Sequence, residues 1–323
     1  MDRETALQDF QKKAAIKITE FRNSITAYVL ERAETLEELV RTAADRLGEQ
    51  MEKQGKESVS FLYFSILKTD FINGRHRIML HGLDMQWYLD ENPVEVYVDA
   101  GDLFAPLMEL WDALTETGGG YGGAVNRYDI THLIFDQLPV YDTAVSYVLR
   151  WRLRDWEKKG IFDSVARTPY WLVKWGQYRD QTETLLQTDR TKKEVSEWAE
   201  ALAKARHKPD RMVFSYWYQG TYQSGSPKET DMRFITFEEC EIKNMNFKDC
   251  NLEGSRFVRC TFSDCTFPGC NLWGADFRGC CFERTSFEGA ELSAAVFPAE
   301  SVPFLNISAE QLQVIGLDRE EEA

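Results

Sequence analysis

From residue 232 onward, every fifth residue is large and apolar. The positions are Met232, Phe237, Ile242, Phe247, Leu252, Phe257, Phe262, Phe267, Leu272, Phe277, Phe282, Phe287, Leu292 and Phe297, fourteen in a row without a slip. Two residues before most of them stands a small side chain: Cys240, Cys250, Ser255, Cys260, Cys265, Cys270, Ala275, Cys280, Thr285, Ala290 and Ala295. Ile235 and Met245 are larger exceptions near the start. A period of five fits neither the 3.6 residues of a helical turn nor the two of a strand. It demands a backbone that turns a corner every five residues, with one large and one small side chain inward and three residues outward. One such unit cannot bury its own pair, so the units must stack.

The segments NLWGADFRGC and CNLEGSRFVRC resemble the pentapeptide-repeat family, whose consensus is a small residue, a polar residue, Leu or Phe, and two variable positions. The resemblance covers residues 230–299. It implies an all-β, right-handed, quadrilateral β-helix with four pentapeptides per coil, so fourteen units make about 3.5 coils and a shaft about 17 Å long at strand-like spacing. Residues 20 apart are then expected to stack. Leu252, Leu272 and Leu292 fall under Met232, Phe237, Phe257, Phe277 and Phe297 form a second column, and Cys240, Cys260 and Cys280 form an inward ladder of thiols.

All seven cysteines lie in this stretch, at 240, 250, 260, 265, 270, 280 and 281. An odd count spaced in fives does not suit a disulfide framework, and no C-x-x-C pair suggests zinc. Six read as small buried hydrophobes. Cys281 sits one position out of phase, is predicted to point outward, and is the candidate reactive thiol.

Some pentapeptide-repeat proteins bind DNA gyrase by resembling duplex DNA, which requires acidic rows along the shaft. The chain carries a formal net charge of −15, but residues 230–299 hold 11 acidic and 7 basic residues, and residues 300–323 hold 6 and 1. Most of the charge lies off the shaft, and its columns mix signs. A DNA-mimic reading is therefore the third choice. The acidic balance also argues against nucleic-acid binding, which needs clustered Lys and Arg. No apolar run approaches the ~20 residues of a membrane span, and the charged start MDRETALQDFQKK does not read as a signal peptide. A cytoplasmic, bacterial protein is expected.

Residues 1–225 differ in character and resemble no family we recognise. Leu7, Phe10, Ala14, Ile18, Phe21, Ile25 and Tyr28 recur at helical spacing, and Thr35 to Glu38 reads as a capping box opening a second helix. The two helices read as an αα-hairpin. SVSFLYFSIL, RHRIMLHG, DMQWYL and VEVYVD read as strands, the first two joined by a tight turn at Asn73-Gly74. Helices are expected near 102–116, 128–137, 140–158, 170–187 and 189–206. RMVFSYWYQ reads as an aromatic strand before a linker. Gly118, Gly120 and Gly123 match a dinucleotide-binding motif by letter, but a helix precedes them where the motif needs a strand. Asp84, Asp90, Glu91, Glu95 and Asp99 read as solvated strand-end carboxylates.

The expected organisation is an α+β domain over 1–225, a β-helix over 226–299, and a C-terminal cap helix with an acidic tail over 300–323, the helix opened by Ser308. No catalytic, cofactor-binding or metal-binding residue is identified, and no cofactor is expected. The expected function is non-catalytic protein binding on a rigid scaffold, with specificity in the N-terminal domain. The alternative is an enzyme whose active site lies in that domain. Outward apolar residues Trp273, Val258 and Pro268, with Trp151 and Trp156 of the basic-aromatic WRLRDWEKKG, are the candidate partner contacts. Trp273 either packs under another part of the chain or anchors a partner. Homodimerisation through the N-terminal helices or the C-terminal cap is a further expectation.

Overall fold

The computed structural model describes residues 2–223 and 227–318. The chain forms two compact units, Met1–Leu186 and Gln187–Ala323. The acidic end of the tail, residues 319–323, lies outside the described residues.

The first unit opens with α1 (Arg3–Glu31), whose N-terminus is capped by Asp2 accepting from the Thr5 amide at 2.9 Å. Phe10, Ala14, Phe21 and Ile25 of the expected stripe are buried, and Leu7, Ile18 and Tyr28 are partly buried against the core. α2 (Ala33–Gln54) follows after a break at Arg32 and ends on Gly55 in a left-handed conformation, φ 67°. Thr35 lies inside α2, so the expected capping box does not form. Nor do the two helices make a hairpin as their main packing: α1 packs chiefly on α4 (Gly101–Gly119) and α6 (Leu138–Lys158), while α2 packs on the sheet and α6.

The sheet has five strands: β1 (Val59–Ile66), β2 (Arg77–Leu83), β3 (Val94–Asp99), β4 (Arg167–Gln177) and β5 (Thr182–Asp189), in the order β3-β2-β1-β4-β5. β2 is antiparallel to both β1 and β3, and β4 is parallel to β1. Leu62, Phe64, Ile66, Ile78, Leu80, Val96, Val98, Val173 and Trp175 occupy one face and join the helices in a single core. A short helix, α3 (Lys68–Ile72), fills the β1–β2 connection, so the Asn73-Gly74 turn is part of a longer link. The stretch DMQWYL is not a strand but a turn with a 3-10 helix at Trp87–Leu89. The expected helix over 170–187 is two strands, β4 and β5. Trp171, Val173 and Trp175 alternate inward, a period of two, and the chain reverses at Gln177–Gln181 with Arg179 at φ 56°. α5 (Arg127–Phe135) completes this unit.

The second unit is a parallel coil with a 20-residue pitch. Tyr216, Thr236 and Arg256 pair in register, and the ladder continues through Asp276, Val296 and Gly316. Three further ladders run through Thr221-Glu241-Thr261-Cys281, Asp231-Asn251-Asn271-Glu291 and Asn246-Thr266-Ser286-Asn306. Phenylalanines of successive coils stack face to face, Phe257 on Phe277 at 4.7 Å and Phe247 on Phe267 at 4.7 Å.

The five-residue register begins earlier than Met232. Met212, Trp217, Tyr222 and Pro227 keep the same step and are buried, so eighteen central positions run from Met212 to Phe297, of which only Phe282 is half-buried. The backbone shows the same count. From Phe214 to Ala294, every described residue two after a central position has φ between +46° and +74°. Residues 187–223, placed in the N-terminal domain from the sequence, thus pack with the repeat. α7 (Val195–Ala205) lays Trp198 on the first coil, its ring 5.0 Å from Trp217 and 5.5 Å from Phe237. At the other end, Ser308 caps α8 (Ala309–Val314) in a capping box with Gln311. This helix keeps the pitch of the coil, since Asn306 pairs with Ser286 and Gly316 with Val296. Gln311 donates to the carbonyls of Phe287 and Ala290, both at 2.8 Å.

Candidate interaction surfaces on the two units

Inside the coil the thiols have one repeated role. Each S–H donates to the carbonyl of the residue 23 positions back, the central residue of the coil below. Cys240 reaches Trp217 at 3.3 Å, Cys260 reaches Phe237 at 3.3 Å, Cys265 reaches Ile242 at 3.3 Å and Cys280 reaches Phe257 at 3.0 Å. Cys250 bonds Pro227 and Cys270 bonds Phe247 in the same way. Burial pushes the Cys250 thiol up to about 11 and the Cys270 thiol up to about 12, so these groups stay protonated. Cys281 is the one exposed cysteine. No group of three or more His, Cys, Asp or Glu that could hold a metal occurs among the described residues.

The apolar residues expected to face outward on the coil do not form one surface. Val258, Pro268 and Trp273 are each half-buried, and they follow Phe257, Phe267 and Leu272, which belong to three different ladders. The basic-aromatic stretch also divides. Trp156 is only 5% exposed within the first core, and Trp171 and Trp175 are buried. Trp151 is half-buried with the Arg154 guanidinium 4.6 Å from its ring. Amphipathic α6 thus points Trp156 into the core of the first unit.

The first unit presents a surface that the sequence reading passed over as a strand. Met85 is 60% exposed, Trp87 44%, Tyr88 56% and Leu89 79%. Single exposed apolar residues are normal, but four large ones within five residues form a contiguous stretch of the kind that marks an interaction site. The loop is held in place from below. Asp90, with a side chain 1% exposed, accepts from Lys56 Nζ at 2.6 and 2.7 Å and from the amides of Asp84 and Asn92 at 2.8 and 2.9 Å. The carboxylate read as solvated is therefore the loop's anchor. The Lys56 and backbone hydrogen bonds hold its pKa low against the opposing effect of burial. Trp87 adopts φ 58°, a costly conformation for an aromatic residue, while its indole N–H donates to Tyr63 Oη at 2.7 Å.

Tyr63 belongs to a row across the sheet face opposite the core. It pairs with His81 on β2 and Lys174 on β4, and His81 pairs with Glu95 on β3. His81 Nε2 lies 3.6 Å from Glu95 Oε1, beyond hydrogen-bond distance, and burial lowers the His81 pKa. Burial lowers the Lys174 pKa as well, and raises that of Tyr63 to about 12. Nothing in a single sequence marked this row, because its members come from four strands.

Residues 228–297 match the family model of the pentapeptide repeat region. No curated protein matches the chain. Among solved structures, the chain is similar to a pentapeptide repeat protein from the Arabidopsis thaliana thylakoid lumen, at 18% identity over 32% of this chain and 75% of that one, TM-score 0.14. It is also similar to QnrB1, a plasmid-mediated fluoroquinolone resistance protein, at 17% identity over 28% of this chain and 64% of that one, TM-score 0.12. The chain thus spans less than two thirds of QnrB1. No helix among the described residues is long and apolar enough to cross a membrane. The five-residue step, the 20-residue pitch and the family match converge on the same stretch, and residues 228–297 are a pentapeptide repeat region.

Proposed function

We propose that this protein works by binding another protein, with the repeat unit as a rigid scaffold and the loop Met85–Leu89 of the first unit as the recognition surface. The observation that carries the reading is that loop. Its four exposed apolar side chains are fixed by the buried Lys56–Asp90 pair, so little conformational entropy is lost when a partner covers them. Exposed Trp and Tyr on a preorganised backbone are the residue types that dominate binding energy at protein interfaces.

The coil supports the scaffold role. Four bridged positions in every 20 residues fit a right-handed, four-sided β-helix, the form that the family resemblance implies. Trp198 over the first coil and Gln311 beneath the last cover ends that would otherwise expose apolar surface and backbone groups. The seven cysteines, none of them in a disulfide, fit a reducing compartment such as the cytoplasm.

The test is affinity capture from the native host with the full chain and with a Tyr88→Ser/Leu89→Ser variant, checked for unchanged folding by circular dichroism. A protein enriched by the parent chain and lost with the variant is the expected result. Enrichment that ignores the loop, or none at all, overturns the assignment of the surface.

A further inference from the structure

We propose that the sheet face of the first unit carries a binding site for a small aromatic carboxylate, with Lys174 and Tyr63 as its donors. The argument is a count of donors and acceptors. Lys174 is half-buried, yet among the described residues no carboxylate or carbonyl lies within hydrogen-bond or ion-pair distance of its ammonium. Among the described residues the cation's ring contact is with Tyr63, whose centroid is 5.8 Å away. Partial burial of an ammonium without a counter-charge costs free energy, and a ligand that reaches the cation from the solvent side can offset it. Tyr63 is 6% exposed. Its oxygen already accepts from Trp87 Nε1 at 2.7 Å, and its own O–H has no acceptor among the described residues. Lys174 and Tyr63 are register neighbours on one face, so two adjacent positions offer protons and neither finds an oxygen.

The neighbouring acid does not fill the need. Glu95 lies two strands over from Tyr63, accepts from Tyr97 at 3.3 Å and leans toward His81 at 3.6 Å. A ligand oxyanion would accept from both donors and neutralise the Lys174 charge in a partly desolvated setting, where charge-assisted bonds are stronger.

The neighbouring rings specify the body that carries the oxyanion. Phe61 lies edge-on to Tyr170 with centroids 6.2 Å apart, and Tyr88 lies 6.3 Å from Tyr63. Phe61, Tyr63, Tyr88 and Tyr170 thus form one aromatic cluster beside the cation, surroundings that favour a planar apolar body over a hydrated ion such as phosphate. The site shares the Tyr88 ring with the Met85–Leu89 loop, but its donors lie on the sheet face, and the inference does not depend on the protein-binding role proposed for that loop.

The experiment is calorimetric titration of the full chain with benzoate, with acetate and with inorganic phosphate, repeated on Lys174→Met, Lys174→Arg and Tyr63→Phe. Benzoate is expected to bind saturably, acetate and phosphate at least tenfold more weakly. Lys174→Met should weaken benzoate at least tenfold, and Lys174→Arg should retain most of the affinity. Thermal melts establish that each variant is folded, and removing an unpaired, half-buried charge should leave Lys174→Met at least as stable as the parent. Absence of saturable benzoate binding by the parent chain overturns the proposal. So does benzoate binding that is unchanged in a folded Lys174→Met variant, or a preference for phosphate over benzoate.

Discussion

Arg190 holds Glu238 with two parallel hydrogen bonds, from Nε at 2.8 Å and Nη2 at 3.0 Å. Glu238 occupies a position just after Phe237 that the repeat turns outward, yet its side chain is only 4% exposed. Tyr216 also donates to it, and Arg259 reaches it at 3.1 Å. The pair ties the segment leading into α7 to the coil, so α7 and Trp198 depend on it for their place over the first coil.

Arg190→Ala should therefore destabilise the second unit by about 1.5–3 kcal/mol, the range for losing a charge-assisted bond to a buried group, with Arg259 limiting the loss. Burial opposes ionisation of Glu238, but the Arg190 and Tyr216 hydrogen bonds outweigh it and hold its pKa below the usual value. A lowered carboxylate pKa adds stability that is present above the unfolded pKa and is lost as pH falls through the folded one. Urea melts from pH 7 down to pH 3 should show this loss in the parent and a shallower one in Glu238→Gln. Equal acid sensitivity in both would show that Glu238 is not the group responsible.

Asp142 behaves in the opposite sense. Trp175 and Gln177 each donate to its carboxylate at 2.9 Å, but burial dominates and raises its pKa to about 6. Here the folded state binds the proton more tightly than the unfolded chain. Its contribution is intact below the unfolded pKa and declines as pH rises through about 6. Asp142→Asn should flatten the stability profile between pH 4 and 7 and gain up to about 3 kcal/mol at pH 8, since each pKa unit is about 1.4 kcal/mol. A variant that keeps the parent's slope in that window would assign the titration elsewhere.

The corners of the coil offer a matched pair of substitutions. Gly279 has φ 70°, and a Cβ there would meet only Arg259 Cγ at 3.9 Å. Gly279→Ala therefore isolates the cost of the left-handed backbone, about 1 kcal/mol of lost stability. Ala294 sits at the equivalent corner with φ 58°. Ala294→Gly relieves the same strain and gives back part of it as chain entropy, for a net gain of up to about 1 kcal/mol. Thermal denaturation of both variants should move in opposite directions; a shift of the same sign would mean that the corners are not set by backbone strain.

These corners also show what the sequence made legible. From Met232 to Phe297 the repeat could be read because each buried position uses an ordinary core residue in an unusual period. The earlier coil was overlooked because Trp217, Tyr222 and Pro227 depart from the Leu-or-Phe consensus, although Ser215 and Gly220 two residues before were small enough to flag them. Non-glycine corners such as Asp249 and Arg284 carry no sequence mark, since their left-handed φ follows from the coil and not from their own preference. In the first unit, the aromatic stretch 170–187 suited either helix or strand, and its pairing with β1 decided the matter. The row from Glu95 to Lys174 depends wholly on strand order, which no local pattern encodes.

The thiol arrangement gives a prediction about chemistry. Six cysteines are buried, each donating to a carbonyl of the preceding coil, and Cys281 is exposed one residue out of phase. A thiolate is the reactive form, and burial holds Cys250 and Cys270 protonated far above neutral pH. Under native conditions a maleimide should modify one equivalent rapidly, at Cys281, as located by peptide mass mapping. The other six should react only at the rate of unfolding, and all together, because removing any coil exposes its neighbours. Cys281→Ser should abolish the fast phase without changing the melting temperature, because its side chain faces solvent. Rapid modification of Cys240 or Cys260 would instead reveal local opening of the coil, and would contradict the interior role of that ladder.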